Sequence, residues 1–320
     1  MKILFADSFP DSHRLQLEQA GHNCTVDPAL NDDTLPDAIG DHDILIVRST
    51  KVSADTIDAG SALKLVIRAG AGTNTIDKDH AAGKGVRVCN VPGANSVAVA
   101  ELAMGLILSI DRHLPQSQSD LKTRLWNKKK YSKAQGLMGQ TIGILGLGAI
   151  GMALAERASA FGMRVLVVAK DRRDPAISER IQTIGIEEVA DQDALLGASD
   201  IVSLHMPANE NTREMVNSDF LAKMKDGAML INTSRGELVD ETALLEAMDN
   251  RGIRAGLDVY QNEPASGEGE FSSALAQHPS VCGTHHIGAS TQQAQTAVAD
   301  GVIRVIESFE NNDLIFCVNA

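Results

Sequence analysis

Short apolar runs recur along this chain, separated by helix-length stretches, and no other feature restricts its fold so much. "KILFAD", "DILIVRS", "LKLVIRAG" and "VRVCNV" come first, with "SHRLQLEQAG" and "SADTIDAG" between them. Continuous apolar runs rich in β-branched residues read as strands buried on both faces, the habit of parallel sheets covered by helices. Residues 1–95 therefore read as one doubly wound unit. A second strand–helix series starts at "QTIGILGLGAIG" and continues through "MRVLVVAK", "DIVSLHMP", "AMLINTSRG", "RAGLDVY" and "SVCGTHHIG". The fold class expected is α/β, with two doubly wound parallel-sheet domains. Between the two series, residues 96–114 form an apolar helix with Ser96 as its N-cap. Apolar residues on so many sides point to burial between domains, between subunits, or both. Residues 115–138 are polar and read as an irregular arm. After a last helix over 290–310, the short apolar tail "DLIFCVN" has no new domain to join. It is expected to pack back on the first unit, making that domain discontinuous.

With 320 residues and 43% hydrophobic content, the chain can build two real cores. A net charge of -13 argues against nucleic acid as a partner, and it requires that any anionic substrate be held by a local positive pocket. No apolar run approaches the ~20 residues of a membrane helix, so no membrane association is expected. The start "MKILFADSFP" is too acidic and too short in its apolar run for a signal peptide. Cys24, Cys89, Cys282 and Cys317 show no metal-ligand spacing. They suggest no metal site and a reducing, cytoplasmic location.

"GILGLGAIG" places Gly146, Gly148 and Gly151 in a G-x-G-x-x-G pattern. It directly follows a strand pattern and opens a helical one, the context in which the motif binds a dinucleotide. Gly146 serves the tight turn, Gly148 lets a pyrophosphate approach, and Gly151 allows helix and strand to pack closely. Amides at the helix N-terminus would receive the phosphates. About 20 residues further on, such a site carries an acid for the adenosine ribose. Ala169 occupies that position, and Asp171 comes two residues later among Lys170, Arg172 and Arg173. Two readings stand side by side: Asp171 replaces the missing acid, or the basic cluster receives a 2′-phosphate.

Several candidate ligand-binding residues fall just past the carboxyl ends of expected strands, the edge where open α/β sheets bind ligands. They are Arg48, the run Gly70, Ala71 and Gly72, then Arg235, Asp258 and His286. An arginine there suits a carboxylate, because its fork meets both oxygens. The histidine pair in "GTHHIGAS" is weak evidence alone, since adjacent side chains on an extended segment point opposite ways. Glu263, in "GLDVYQNEP", supplies a carboxylate able to fix an imidazole tautomer and raise its pKa.

Taken in order and spacing, "TIGILGLGAIG", "LINTSRGELVD", "LDVYQNEP" and "HHIGAST" resemble the D-isomer-specific 2-hydroxyacid dehydrogenases over essentially the whole chain. "VRSTKV", "RAGAGTNTID", "NVPGANSVAVAEL" and "WNKKKY" lean toward the phosphoglycerate dehydrogenases of that family. The resemblance implies a flavodoxin-like substrate-binding domain over 1–98 and 288–320, and a Rossmann dinucleotide-binding domain over 99–287. It implies a catalytic triad of Arg235, Glu263 and His286, with His285 where the family has proline. It implies substrate contacts from Arg48, Ala71, Gly72 and Arg235. Cofactor contacts would come from Gly146, Gly148, Ala149, Ile150, Gly151, Ala169, Lys170, His205, Pro207, Thr233 and Asp258. Asp258 would hold the nicotinamide carboxamide. NAD is the family's cofactor, and Ala169 opens the way to NADP. The expected reaction is hydride transfer between a nicotinamide and C2 of a D-2-hydroxy or 2-keto acid, 3-phosphoglycerate first. Arg48, Lys51 and the run Lys128–Lys130 are the basic residues available to a substrate phosphate, although the lysine run reads slightly better as a solvated arm. Glyoxylate or hydroxypyruvate reduction is the alternative, and a cofactor-sensing corepressor the alternative of another class. Long phosphoglycerate dehydrogenases carry C-terminal regulatory domains, and none follows within these 320 residues. A homodimer is expected, from the apolar helix and the arm after it.

Overall fold

A computed structural model describes residues 1–264 and 268–319 of the chain. The chain forms two compact units, Met1–Asn95 with Ser290–Ala320, and Ser96–Ala289.

The first unit is a five-stranded parallel sheet made of β1 (Lys2–Phe5), β2 (Asn23–Val26), β3 (Ile44–Val47), β4 (Leu65–Arg68) and β5 (Arg87–Asn90), in the order β2-β1-β3-β4-β5. β3 is buried along its whole length, which is why its sequence reads as an unbroken apolar run. β2 was not anticipated. It is an edge strand, "NCTV", with no fully buried position, so no apolar pattern marks it. The helix Gln292–Glu310 is capped by the Thr291 hydroxyl, which accepts from the Ala294 amide at 3.1 Å. It contributes Val302, Ile303, Val305 and Ile306 to a core shared with Ile3, Phe5, Ile46 and Ile67. The tail then pairs antiparallel with β5, with Val318 N–H donating to Val88 O at 2.8 Å. The expected return of the tail to the first unit is what the structure shows.

The second unit is a seven-stranded parallel sheet of β6 (Thr141–Leu145), β7 (Arg164–Val168), β8 (Glu187–Val189), β9 (Ile201–Leu204), β10 (Met229–Asn232), β11 (Arg254–Leu257) and β12 (Val281–Gly283). Its order is β12-β11-β10-β9-β6-β7-β8. The chain runs outward from β6 through β7 and β8, then returns to the other side of β6 as β9. That reversal opens a crevice at the carboxyl ends of β6 and β9. Edge strand β8 was not anticipated either, because "EEV" carries no apolar signal.

The apolar helix Ser96–Arg112 lies inside the second unit. It packs on the helix Ala149–Ala160 and on β10, β11 and β12, with Ala100, Ala103, Met104, Ile107 and Ile110 in the core. Within the second unit it is a core helix. Its apolar circumference serves two neighbours at once, a helix and a sheet. Ser96 is the first helical residue rather than a cap, and its buried hydroxyl has no partner among the described residues. The unit boundaries accordingly fall at 95/96 and 289/290, two or three residues from those expected. The arm begins with a helix, Leu114–Lys122, which buries no residue and so left no periodic trace. Within it, Asp120 accepts from Lys130 Nζ at 2.9 Å and Tyr131 Oη at 2.6 Å, both beyond the helix end. Among the described residues no helix is long and apolar enough to cross a membrane, and no group of three His, Cys, Asp or Glu is placed to hold a metal.

Candidate active site

The glycine loop lies at the crevice of the second unit. Gly146 has φ 98°, and a side chain there would strike the backbone oxygen of His205. A Cβ on Gly151 would sit 2.1 Å from the oxygen of Gly146, so strand and helix approach closely only because both are glycine. Gly148 differs: a Cβ there meets nothing within 4 Å. Space opens at that point over the start of the helix Ala149–Ala160, which no side chain caps. Ala149 and Ile150 thus offer first-turn amides to an anion.

Among the described residues, two buried polar atoms on the same edge lack partners. His205 follows β9; its Nε2 lies 2.9 Å from Ser203 Oγ, while its Nδ1 is buried and unpaired. Burial pulls the His205 pKa down to about 4, so the ring is neutral near pH 7. Thr233 follows β10, and its Oγ1 is likewise buried and unpaired. Such atoms cost ~1–3 kcal/mol each until a partner arrives. Orphaned donors and acceptors beside an open glycine cradle fit a nicotinamide dinucleotide. Pro207 is exposed two residues past His205, and its carbonyl accepts from Thr212 Oγ1 at 2.7 Å.

Asp258, 1% exposed, follows β11. Its carboxylate accepts from Thr284 Oγ1 at 2.6 Å, Ile287 N–H at 2.9 Å and Gly288 N–H at 2.8 Å. Its backbone oxygen accepts from His286 N–H at 2.8 Å. Asp258 therefore anchors the histidine turn, a role its sequence context did not disclose. Asn232 does the same for the arginine. Its Oδ1 accepts from Ser234 N–H at 3.0 Å and its Nδ2 donates to Arg235 O at 2.8 Å. Gly236 then lies so close to Tyr260 that a Cβ would fall 2.0 Å from the Tyr260 carbonyl carbon. That approach brings the arginine segment onto the segment leading to Glu263.

Glu263 Oε1 and His286 Nδ1 are 2.6 Å apart, and Tyr260 N–H donates to Glu263 Oε2 at 3.4 Å. Burial works against the Glu263 charge, but the His286 hydrogen bond, the Tyr260 amide and the Arg235 charge outweigh it and hold the carboxyl below its usual range. The same hydrogen bond raises His286 above the ordinary imidazole value, against a smaller opposing effect of burial. The His286 side chain is 49% exposed, and among the described residues its Nε2 has no partner. His286 sits at φ 52°, a conformation residues other than glycine seldom adopt and that tends to occur at functional positions. The fold brings Arg235, Glu263 and His286 together and leaves His285 exposed beside them.

The other expected positions divide. Ala169 and Lys170 are exposed just past β7, as are Asp171 and Arg172. Arg173 is not available to a phosphate: its Nε holds Glu188 Oε1 at 2.8 Å, its Nη2 is bound to Val168 O, and its side chain is 10% exposed. On the first unit, Arg48 follows β3, and Ala71 and Gly72 lie past β4. Asp7 was missed by sequence reasoning. Its Oδ2 accepts from the amides of Arg48 (2.6 Å), Ser49 (3.1 Å) and Thr50 (3.1 Å), fixing the turn that carries Arg48. Lys51 is tied to Asp32 at 2.6 Å, and in the lysine run of the second unit Lys130 is tied to Asp120. Both pairs are solvent-exposed.

An open parallel sheet with a glycine cradle at its reversal point, and a carboxylate-held imidazole on the same edge, defines a dinucleotide-dependent oxidoreductase. Residues 104–288 match the family described as D-isomer specific 2-hydroxyacid dehydrogenase, NAD binding domain. The chain belongs to that family, whose members are NAD-dependent oxidoreductases acting on CH–OH groups. It is 43% identical over 279 residues to a hydroxypyruvate reductase of Thermotoga maritima, covering 87% of this chain and 88% of that protein. It is 38% identical over 317 residues to a D-3-phosphoglycerate dehydrogenase of Methanocaldococcus jannaschii, covering 98% of this chain but only 58% of that protein. An NAD+-bound 3-phosphoglycerate dehydrogenase of Entamoeba histolytica shares its fold at a TM-score of 0.80 and 26% identity, over 100% of this chain and 99% of that one.

Proposed function

We propose that this chain interconverts a D-2-hydroxy acid and its 2-keto acid, with a phosphorylated three-carbon acid as the substrate. The observation that carries the chemistry is the 2.6 Å bond between Glu263 and His286, with Arg235 close enough to influence both. A nicotinamide bound in the glycine cradle would supply the hydride acceptor or donor. Arg235 binds the substrate carboxylate with its fork and polarises the C2 oxygen. His286 Nε2 takes the C2 hydroxyl proton in one direction and returns it in the other. Glu263 holds the tautomer and steadies the imidazolium. The raised His286 pKa keeps the acid form populated near neutrality, which suits keto-acid reduction. In this reading the second unit binds the dinucleotide, through Gly146–Gly151, His205, Pro207, Thr233 and Asp258, and the first unit binds substrate through Arg48, Ala71 and Gly72.

The second reading is hydroxypyruvate reduction without a phosphate site. It is favoured by the pairing of Lys51 with Asp32, and by a relative so named that matches over most of its own length. Turnover on phosphohydroxypyruvate, hydroxypyruvate and glyoxylate separates the two. A hundred-fold or greater preference for the unphosphorylated acid would reject the first, and no turnover on any of them would leave a ligand-sensing protein. NAD is the cofactor of this reading. NADP is accepted within ten-fold in kcat/KM, because Ala169 offers no charge against a 2′-phosphate while Lys170 and Arg172 stand exposed beside it. A hundred-fold preference for NAD on one keto acid would overturn that. The four free cysteines suit a reducing compartment such as the cytoplasm.

A further inference from the structure

Cys89, in β5, stands directly opposite Cys317 in the returning tail. The backbone bonds that frame them run from Asn90 N–H to Phe316 O (3.2 Å) and from Val318 N–H to Val88 O (2.8 Å). The two cysteines exchange no backbone bonds themselves, so they form the closer kind of antiparallel pair. In such pairs the Cα atoms lie ~4.5 Å apart with side chains on one face of the sheet. Disulfides span Cα separations of ~4.4–6.8 Å. Both residues are free thiols, and both meet the same apolar core, Cys89 within it and Cys317 packed against it.

We propose that Cys89 and Cys317 form a redox-sensitive pair, which a low-molecular-weight disulfide closes to an intramolecular bond fastening the tail to β5. Cys317 is half-buried in the terminal segment and reacts first. Its thiolate attacks one sulfur of the small disulfide, expelling one small thiol and leaving a mixed disulfide on Cys317. Cys89 then loses its proton, its sulfur attacks Cys317 Sγ, and the second small thiol leaves. Two protein thiols are oxidised and one small disulfide is reduced to two thiols. Cys89 cannot lead, because burial and the neighbouring Cys317 thiol push its pKa up to about 12. For the same reason the second step is the slow one. Cys24 and Cys282 take no part: neither has a cysteine opposite it in a sheet pair.

Oxidised glutathione is the probe. After incubation of the whole protein, thiols are blocked and the chain is digested without reductant. The expected product is one cross-linked peptide pair joining Cys89 to Cys317, abolished by reductant, with Cys24 and Cys282 still blocked as free thiols. Hydrogen exchange at Asn90 and Val318 should slow by about ten-fold or more in the oxidised form. In Cys89→Val the glutathione adduct should persist on Cys317, and Cys317→Ser should give no cross-link. A wild-type protein that stops at the Cys317 adduct, pairs either residue with Cys24 or Cys282, or stays unmodified would overturn the proposal.

Discussion

Glu263 and His286 move each other's titration in opposite directions, and this sets the pH range over which the pair is charged. His286 is raised, so its contribution to stability is fully present below the unfolded imidazole value of ~6.5 and is lost as pH climbs through the higher folded value. Glu263 is lowered, so its contribution is present above the ordinary carboxylate range and is lost as pH falls through the depressed value. The same shift governs turnover. Keto-acid reduction needs protonated His286 and should fall as pH rises through its raised pKa, while hydroxy-acid oxidation should rise. In Glu263→Gln that inflection should move down toward the ordinary imidazole value in a kcat/KM–pH profile; an unmoved inflection would separate Glu263 from the proton-carrying group. His286→Ala should lose ~10²–10⁴-fold in kcat, and His285→Ala should lose little, since it is exposed and outside the hydrogen-bonded cluster. Equal losses would show that the wrong histidine has been chosen. Arg235→Lys should raise the keto-acid KM about ten-fold or more, because a point charge replaces a fork. The clustering of Arg235, Glu263 and His286 was legible in the sequence because each stands at or near a strand's carboxyl end in a recognisable motif. Asn232, Asp7 and the anchoring role of Asp258 were not, because they act by accepting backbone amides from segments distant in sequence or by bracing a turn.

At the scale of the element, the glycine loop separates ligand space from packing space. Gly148→Ala adds a methyl to the open cradle and should raise the cofactor KM about ten-fold while leaving the thermal midpoint in place. Gly151→Ala drives a methyl into the Gly146 carbonyl and should cost ~1–3 kcal/mol of stability, seen as a lower midpoint in thermal melts. If both variants only melted earlier, the cradle would be packing space throughout. Central strands were legible because burial on both faces makes them apolar end to end. Edge strands β2 and β8, and the helix Leu114–Lys122, have no wholly buried side to advertise. The fate of Arg173 was hidden for a related reason: Glu188, its partner, lies on the unread strand β8.

At the scale of the whole molecule, the case for a homodimer changes its ground. The helix Ser96–Arg112 spends its apolar residues in its own unit, but the arm beyond it exposes Leu114, Leu121, Leu125, Trp126 and Met138, with Trp126 82% and Met138 85% exposed. Apolar side chains grouped along one segment are surface that a second copy would cover. Sedimentation should therefore find a dimer at micromolar concentration, and Trp126→Ala with Leu125→Ser should shift it toward monomer; a wild-type monomer would remove the proposal. The discontinuity of the first unit has a consequence for the order of synthesis. Ser96–Ala289 is one uninterrupted stretch and holds its whole sheet, whereas Met1–Asn95 must wait for residues 290–320 to bring Val302, Ile303, Val305 and Ile306 to its core. A ribosome delivers that closing helix only after the inserted unit has left the exit tunnel. Residues 1–95 thus leave the ribosome well before the helix that covers them, and their apolar strands stay open to aggregation or to a chaperone in the interval.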